Sequence, residues 1–166
     1  MESFKHLRQK INEKLTNSNR IIFVAIITTI LYILLIGFNF GFDFIREKDI
    51  IWFDSPSGGK NIYILFFTVV ILSPIIETYI YQSLPYRYLN RIVFLKERKY
   101  LILIISALFF GLSHFYSLFY VIYGFFMGLG FMYSYMVRIR TDNRTFYLIA
   151  MCHSLVNLGV FISHNI

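Results

Sequence analysis

Cysteine, proline and acidic side chains are all scarce in this chain. The lone Cys152 excludes an internal disulfide and leaves the redox compartment unread. Nine Asp and Glu face sixteen Lys and Arg, a net charge of +7. Such a balance can mark a nucleic-acid binder, but no Lys or Arg falls inside the long apolar runs. A basic excess placed this way reads as membrane topology, and no nucleic-acid partner is expected. Residues 100–137, a stretch of 38, hold no Asp, Glu, Lys or Arg at all. Between Asn61 and Tyr86 there is one charged residue, Glu77. What is present is apolar: 57% hydrophobic and 20% aromatic residues, with a mean hydropathy of +0.62. No soluble domain of 166 residues needs so much apolar surface. The composition predicts an all-α, polytopic bundle of membrane-crossing helices in the lipid bilayer.

Residues 1–20 form a basic tail carrying Lys5, Arg8, Lys10, Lys14 and Arg20. Phe4, Leu7, Ile11 and Leu15 recur there at helical spacing. This predicts a short amphipathic helix on the membrane surface, with an ordinary cytoplasmic tail as the alternative. The integral bundle takes residues 21–166. Its first span, from Ile21 to about Phe40, exceeds a signal-peptide core of roughly 7–15 residues and has no small-residue cleavage site after it. It is expected to stay as an anchor. In the loop at 41–60, Trp52 and Phe53 suit the membrane interface, and residues 55–59 read as a turn. The second helix begins at Asn61 and contains Pro74, three residues before Glu77. A proline there frees a carbonyl and bends the helix. Pro85 interrupts it again before the basic hairpin at 86–99. The uncharged stretch 100–137 would measure about 57 Å as one helix, nearly twice the roughly 30 Å hydrocarbon layer. It therefore predicts two helices, turning near residues 115–118. Gly124-x-x-x-Gly128 and Gly130 mark a face for close helix approach. A polar turn, Arg140-Thr141-Asp142-Asn143-Arg144, leads into the last span at 145–166. Its Asn143-Arg144-Thr145 sequon is discounted because this loop falls on the cytoplasmic side. Thirteen of the sixteen Lys and Arg lie on one side of the implied topology. That bias predicts about five crossing helices in the cell membrane, with the N-terminus cytoplasmic and the C-terminus outside.

Glu77, His114, His153 and Asn157 are the strongly polar groups inside the spans. A carboxylate there costs roughly 2.5–3.5 kcal/mol on insertion scales, so a use for it is expected. Glu77 and His114 are equidistant in sequence from the middle of the basic hairpin, which places them at one depth on neighbouring helices. His153 and Asn157, at i and i+4, share a helix face. No apolar run offers Glu77 a Lys or Arg. Desolvation penalises its charged form and hydrogen bonds from imidazole favour it, the balance a general base requires. The bland alternative is a protonated Glu77 bonded to a carbonyl, holding helices together.

Pro74-x-x-Glu77, Phe110-x-x-x-His114 and His153-x-x-x-Asn157 resemble the three motifs of the CPBP (Abi, CAAX-protease-like) intramembrane protease family, in order and spacing. The resemblance covers about residues 61–163, the last four helices. Thr141-Asp142-Asn143 is similar to that family's loop before its last motif. One departure matters. The family's first motif usually reads Glu-Glu-x-x-x-Arg, and here it is Glu77-Thr78-x-x-x-Gln82. Losing both members of an i, i+4 ion pair avoids an unpaired charge in the membrane. Thr78 and Gln82 are expected to replace it with a neutral hydrogen bond.

The resemblance implies an endopeptidase acting on a membrane-associated protein or peptide. Glu77 would deprotonate a water that His114 holds, and His153 and Asn157 would donate to the oxyanion. Phe110 would pack beside the site, with Thr78 and Gln82 supporting it. No cofactor is assigned. The metal alternative is zinc on Glu77, His114 and His153. The non-enzymatic alternative is a scaffold or immunity-type binding protein of the same family. Cys152, about 100° around the helix from His153, is not expected to act as a nucleophile. His6 and His164 are assigned no role.

Overall fold

The computed structural model describes residues 2–45, 61–115 and 117–165. The residues at 46–60, including Trp52, Phe53 and the turn at 55–59, lie outside the described residues. The described chain is helical: α1 (Glu2–Asn17), α2 (Arg20–Ile45), α3 (Ile62–Leu89), α4 (Val93–Glu97), α5 (Lys99–Ser113), α6 (Leu118–Arg138) and α7 (Thr145–Asn165). α2, α3, α6 and α7 are long and apolar enough to cross a bilayer, and α5 is a shorter apolar helix of 15 residues. The four long spans together with α5 fit a bundle of about five crossing helices, with α1 apart from them. The surface fits a lipid environment: Ile21, Tyr63, Phe109 and Tyr147 are each at least 60% exposed, a cost in water and none in lipid.

Asn61 starts α3 by accepting the Tyr63 amide at 2.9 Å, the usual work of an N-cap. The expected proline interruption then takes an unexpected form. Two wide π-type turns, Phe67–Leu72 and Tyr79–Ser83, each end two residues before a proline. Their last hydrogen bonds span five residues, from the Ser73 amide to Thr68 and from the Leu84 amide to Tyr79. Continuing either pattern would require an amide hydrogen at 74 or 85, which proline lacks. Carbonyls are therefore left over, and other helices take them. Asn157 donates to the Val69 carbonyl at 2.9 Å, five residues before Pro74. The Ser106 hydroxyl donates to the Tyr81 carbonyl, four residues before Pro85.

α5 and α6 are joined by the tight turn expected near 115–118, and they touch backbone to backbone. A Cβ on Gly111 would stand 2.6 Å from the Val121 carbonyl, and one on Gly124 would stand 3.0 Å from the Gly111 Cα. The small-residue face predicted from Gly124 and Gly128 therefore meets a matching face, Ala107 and Gly111. α2 closes the bundle against α6 and α7. Its Tyr32 hydroxyl donates to the Leu155 carbonyl at 2.9 Å, in space that only Gly159 leaves open. Phe23, Ile27, Leu31, Phe131, Ile149, Cys152 and Val156 form the buried core between these helices.

The predicted helix in the tail forms as α1. Leu15 is buried against the core, and Leu7 and Ile11 remain exposed. Arg138, at the end of α6, donates from one nitrogen to the carbonyls of Leu15, Thr16 and Ser18 at 2.8–3.0 Å. Leu15 and Thr16 lie in the last turn of α1, where carbonyls have no amide partner within the helix. Asp142 binds the other side of the same arginine at 3.3 Å and receives Arg20 through two bonds, 2.7 and 3.1 Å. Its carboxylate also accepts the Arg144 amide at 2.9 Å, at the start of α7. One acidic residue thus ties α2, α6 and α7 together, and through Arg138 it reaches α1.

Candidate active site

Glu77 sits on the short α-helical segment Ser73–Thr78, between the two wide turns of α3. His114 ends α5, and His153 projects from α7. The three side chains converge: Glu77 Oε2 lies 3.6 Å from His153 Nε2 and 3.9 Å from His114 Nε2. Glu77 and His114 meet as their equal distances from the basic hairpin predict, and His153 joins them from α7. Neither separation is a hydrogen bond, and Glu77 Oε2 is buried without a bonded partner among the described residues.

The local fold sets the orientation of His114. The close approach of Gly111 and Gly124 brings α6 up to its ring, with His114 Nδ1 within 3.4 Å of the space a Gly124 side chain would fill. Nδ1 bonds the Phe110 carbonyl at 2.8 Å. A carbonyl only accepts, so Nδ1 carries the hydrogen, and the neutral ring turns the lone pair of Nε2 toward Glu77. An ionised Glu77 also presents only lone pairs. Two acceptors at 3.9 Å call for a donor that reaches both, and a water is the simplest.

Aromatic rings wall the site. Phe110 lies 4.7 Å from the His114 ring and 5.6 Å from the His153 ring, centre to centre. Phe131, from α6, lies 4.5 Å from the His153 ring at an interplanar angle of 32°. Phe110 was expected here, though not the role of its carbonyl. Phe131 carries no signal in the sequence, being one of nineteen phenylalanines. The imidazole of His153 is 4% exposed, whereas Glu77 and His114 are 23% and 26% exposed. His153 is thus the enclosed member of the three, and Glu77 and His114 are the partly open ones.

Asn157 stands one turn along α7 from His153. Its amide nitrogen gives one of its two hydrogens to Val69, so it fixes α7 against α3 at the level of the site. Thr78 and Gln82 are both fully buried, but the neutral hydrogen bond expected between them does not form. Thr78 Oγ1, Gln82 Oε1 and Gln82 Nε2 have no partner among the described residues. The wide turn at Tyr79–Ser83 separates the two residues and removes the i, i+4 alignment that a regular helix would give. Cys152 is buried, with its sulfur facing the Val24 carbonyl of α2 at 3.9 Å. His6 is exposed on α1.

One carboxylate and two imidazoles are a zinc-type donor set by chemistry. Among the described residues, however, no three His, Cys, Asp or Glu side chains are arranged to hold a metal ion. Residues 59–159 match the family model described as "Type II CAAX prenyl endopeptidase Rce1-like". The match contains Glu77, His114, His153 and Asn157. No curated protein and no solved structure matches the chain.

Proposed function

The chain belongs to the Rce1-like family of type II CAAX prenyl endopeptidases, and from that premise we propose that it cleaves a peptide bond of a membrane-associated protein or peptide with a water activated by Glu77. The observation that carries this reading is the convergence of Glu77 Oε2 with two imidazole nitrogens in an apolar, aromatic-walled recess. A water within hydrogen-bond reach of Glu77 and His114 sits beside the pair, on the exposed side. Glu77 takes a proton from it as it attacks the scissile carbonyl. His114 accepts the water's other hydrogen at Nε2, which the Phe110 carbonyl keeps available. The oxyanion forms deeper, where the ring of His153 and the second amide hydrogen of Asn157 are the donors. Glu77 then returns its proton to the leaving amine. Thr78 and Gln82 act by shape, behind the carboxylate.

The test uses purified protein in proteoliposomes with a prenylated, C-terminally extended reporter peptide beside an unprenylated one. Glu77→Gln abolishes cleavage while the unfolding midpoint stays; retained cleavage refutes the base. Treatment with a chelator leaves the activity intact on this reading, and loss with recovery on added zinc replaces it with the metal-dependent one. The unpartnered Thr78 and Gln82 favour a second reading, a family member that binds without turnover. A Glu77→Gln chain that keeps its full effect in cells, with no cleaved reporter from either protein, would establish that instead.

A further inference from the structure

A second concavity, of about 470 Å³, opens where the C-terminal half of α1, the end of α3, the start of α5 and the end of α6 meet. None of the residues named above for the Glu77 site lines it. Two cations face it, Lys99 as the first residue of α5 and Arg140 just beyond α6. Arg20 and Arg138 share Asp142, but Lys99 and Arg140 have no acidic partner among the described residues. They repel each other instead, and Lys96 adds to the repulsion. The first-turn amides of α5 contribute further positive potential at Lys99. Like charges gathered in a recess are stable when an anion joins them.

The remaining walls specify the anion further. Tyr86 and Tyr100 bring phenol groups to the cavity, whereas Leu103 and Val137 supply an apolar face. A small inorganic ion would leave that apolar face idle. An amphiphile uses both. The cavity is of the size that holds a lipid headgroup with its glycerol. It lies at the end of the bundle that carries the basic hairpin and the 140–144 turn, which the charge distribution predicts to be cytoplasmic. Basic recesses between helices at that level are where anionic headgroups settle.

We propose that the recess between Lys99 and Arg140 binds the phosphate of an anionic phospholipid headgroup from the cytoplasmic leaflet, at a site separate from Glu77. Arg140 grips two phosphate oxygens with its planar fork, and Lys99 serves as the point charge. The lipid sits between α1 and the start of α5, so its binding fastens the tail to the bundle. This reading does not depend on cleavage.

The full chain, purified in neutral detergent, is titrated with dioleoyl-phosphatidylglycerol, dioleoyl-phosphatidylcholine or inorganic phosphate. Retained molecules are counted by native mass spectrometry, and the unfolding midpoint is followed in parallel. Phosphatidylglycerol is expected to bind and raise the midpoint, and phosphatidylcholine is not. Replacing both cations, Lys99→Ala with Arg140→Ala, weakens phosphatidylglycerol roughly thirtyfold, at about fivefold for each basic side chain. Arg140→Gln alone, at an exposed side chain, weakens it about fivefold. Lys99→Arg, which keeps the point charge, retains the binding, as does Arg91→Ala, which removes a basic charge outside the recess. Equal retention of the two lipids, or unchanged phosphatidylglycerol binding in the double alanine variant, overturns the proposal. Inorganic phosphate matching phosphatidylglycerol at equal concentration overturns the lipid assignment in favour of a free phosphate.

Discussion

Asp142 and Glu77 are both acidic residues set among helices, and they are treated in opposite ways. Asp142 is 6% exposed and is saturated: two bonds from Arg20, one from Arg138 and one from the Arg144 amide. The Arg20 guanidinium above all, then the Arg144 amide and Arg138, hold its carboxyl well below the usual carboxylate range, against the opposing push of burial. Among the described residues Glu77 has no Lys or Arg partner, and one of its oxygens is bonded to nothing. Its neighbours are two imidazoles just beyond hydrogen-bond distance. A carboxylate whose lone pairs are all occupied holds a structure together. One whose lone pairs are kept open in an apolar recess is available for proton transfer.

The same chemical change therefore has opposite effects at the two positions. Glu77→Gln lowers the rate of reporter cleavage by at least about 10²–10⁴, the usual worth of a general base, with the unfolding midpoint unchanged. His153→Ala removes the proposed oxyanion donor and is expected to lower the rate by about 10²–10³ under saturating substrate. Asp142→Asn reverses the pattern. It lowers the unfolding midpoint by roughly 3–10 °C, one charge-assisted hydrogen bond's worth in a chain of this size, while the folded fraction keeps its activity. Its pH dependence sharpens the point. A depressed carboxyl contributes stability at all pH values above its unfolded pKa of about 3.9 and loses it as the pH falls toward the folded value. The gap in midpoint between the native chain and Asp142→Asn is thus constant from pH 7 to about 5 and narrows below about pH 4. A gap that instead narrows near neutrality would assign the effect to another group. Smallest is Ser106→Ala, which leaves the Tyr81 carbonyl without its donor and costs about 0.5–1.5 kcal/mol in denaturant unfolding.

The sequence makes the Glu77 site readable for the same reason that it leaves Asp142 obscure. Glu77 is alone in an apolar run, so its presence is itself a signal, and the equal distances from the basic hairpin give its depth beside His114. The crossing helices and the turn between α5 and α6 follow from run length alone. Asp142 lies in a polar turn where acids are ordinary, and its main partner, Arg20, is 122 residues away. No local pattern joins them. Arg138 looked like a topology marker and proves to cap α1 as well. The Thr78–Gln82 pair misleads because i, i+4 spacing implies a shared face only in a regular helix, and the wide turn at Tyr79–Ser83 breaks that rule. The prolines at 74 and 85 signal an interruption, but not that a wide turn would precede each.

Those leftover carbonyls have a further consequence. In lipid, apolar side chains give helices little reason to prefer one neighbour or one height over another. Val69 and Tyr81 supply that reason, as polar sockets at two heights on α3, each plugged by a side chain of a different partner. The irregular helix works as a ruler against which α5 and α7 are set, and the level at which the histidines meet the glutamate is marked off by two missing hydrogens.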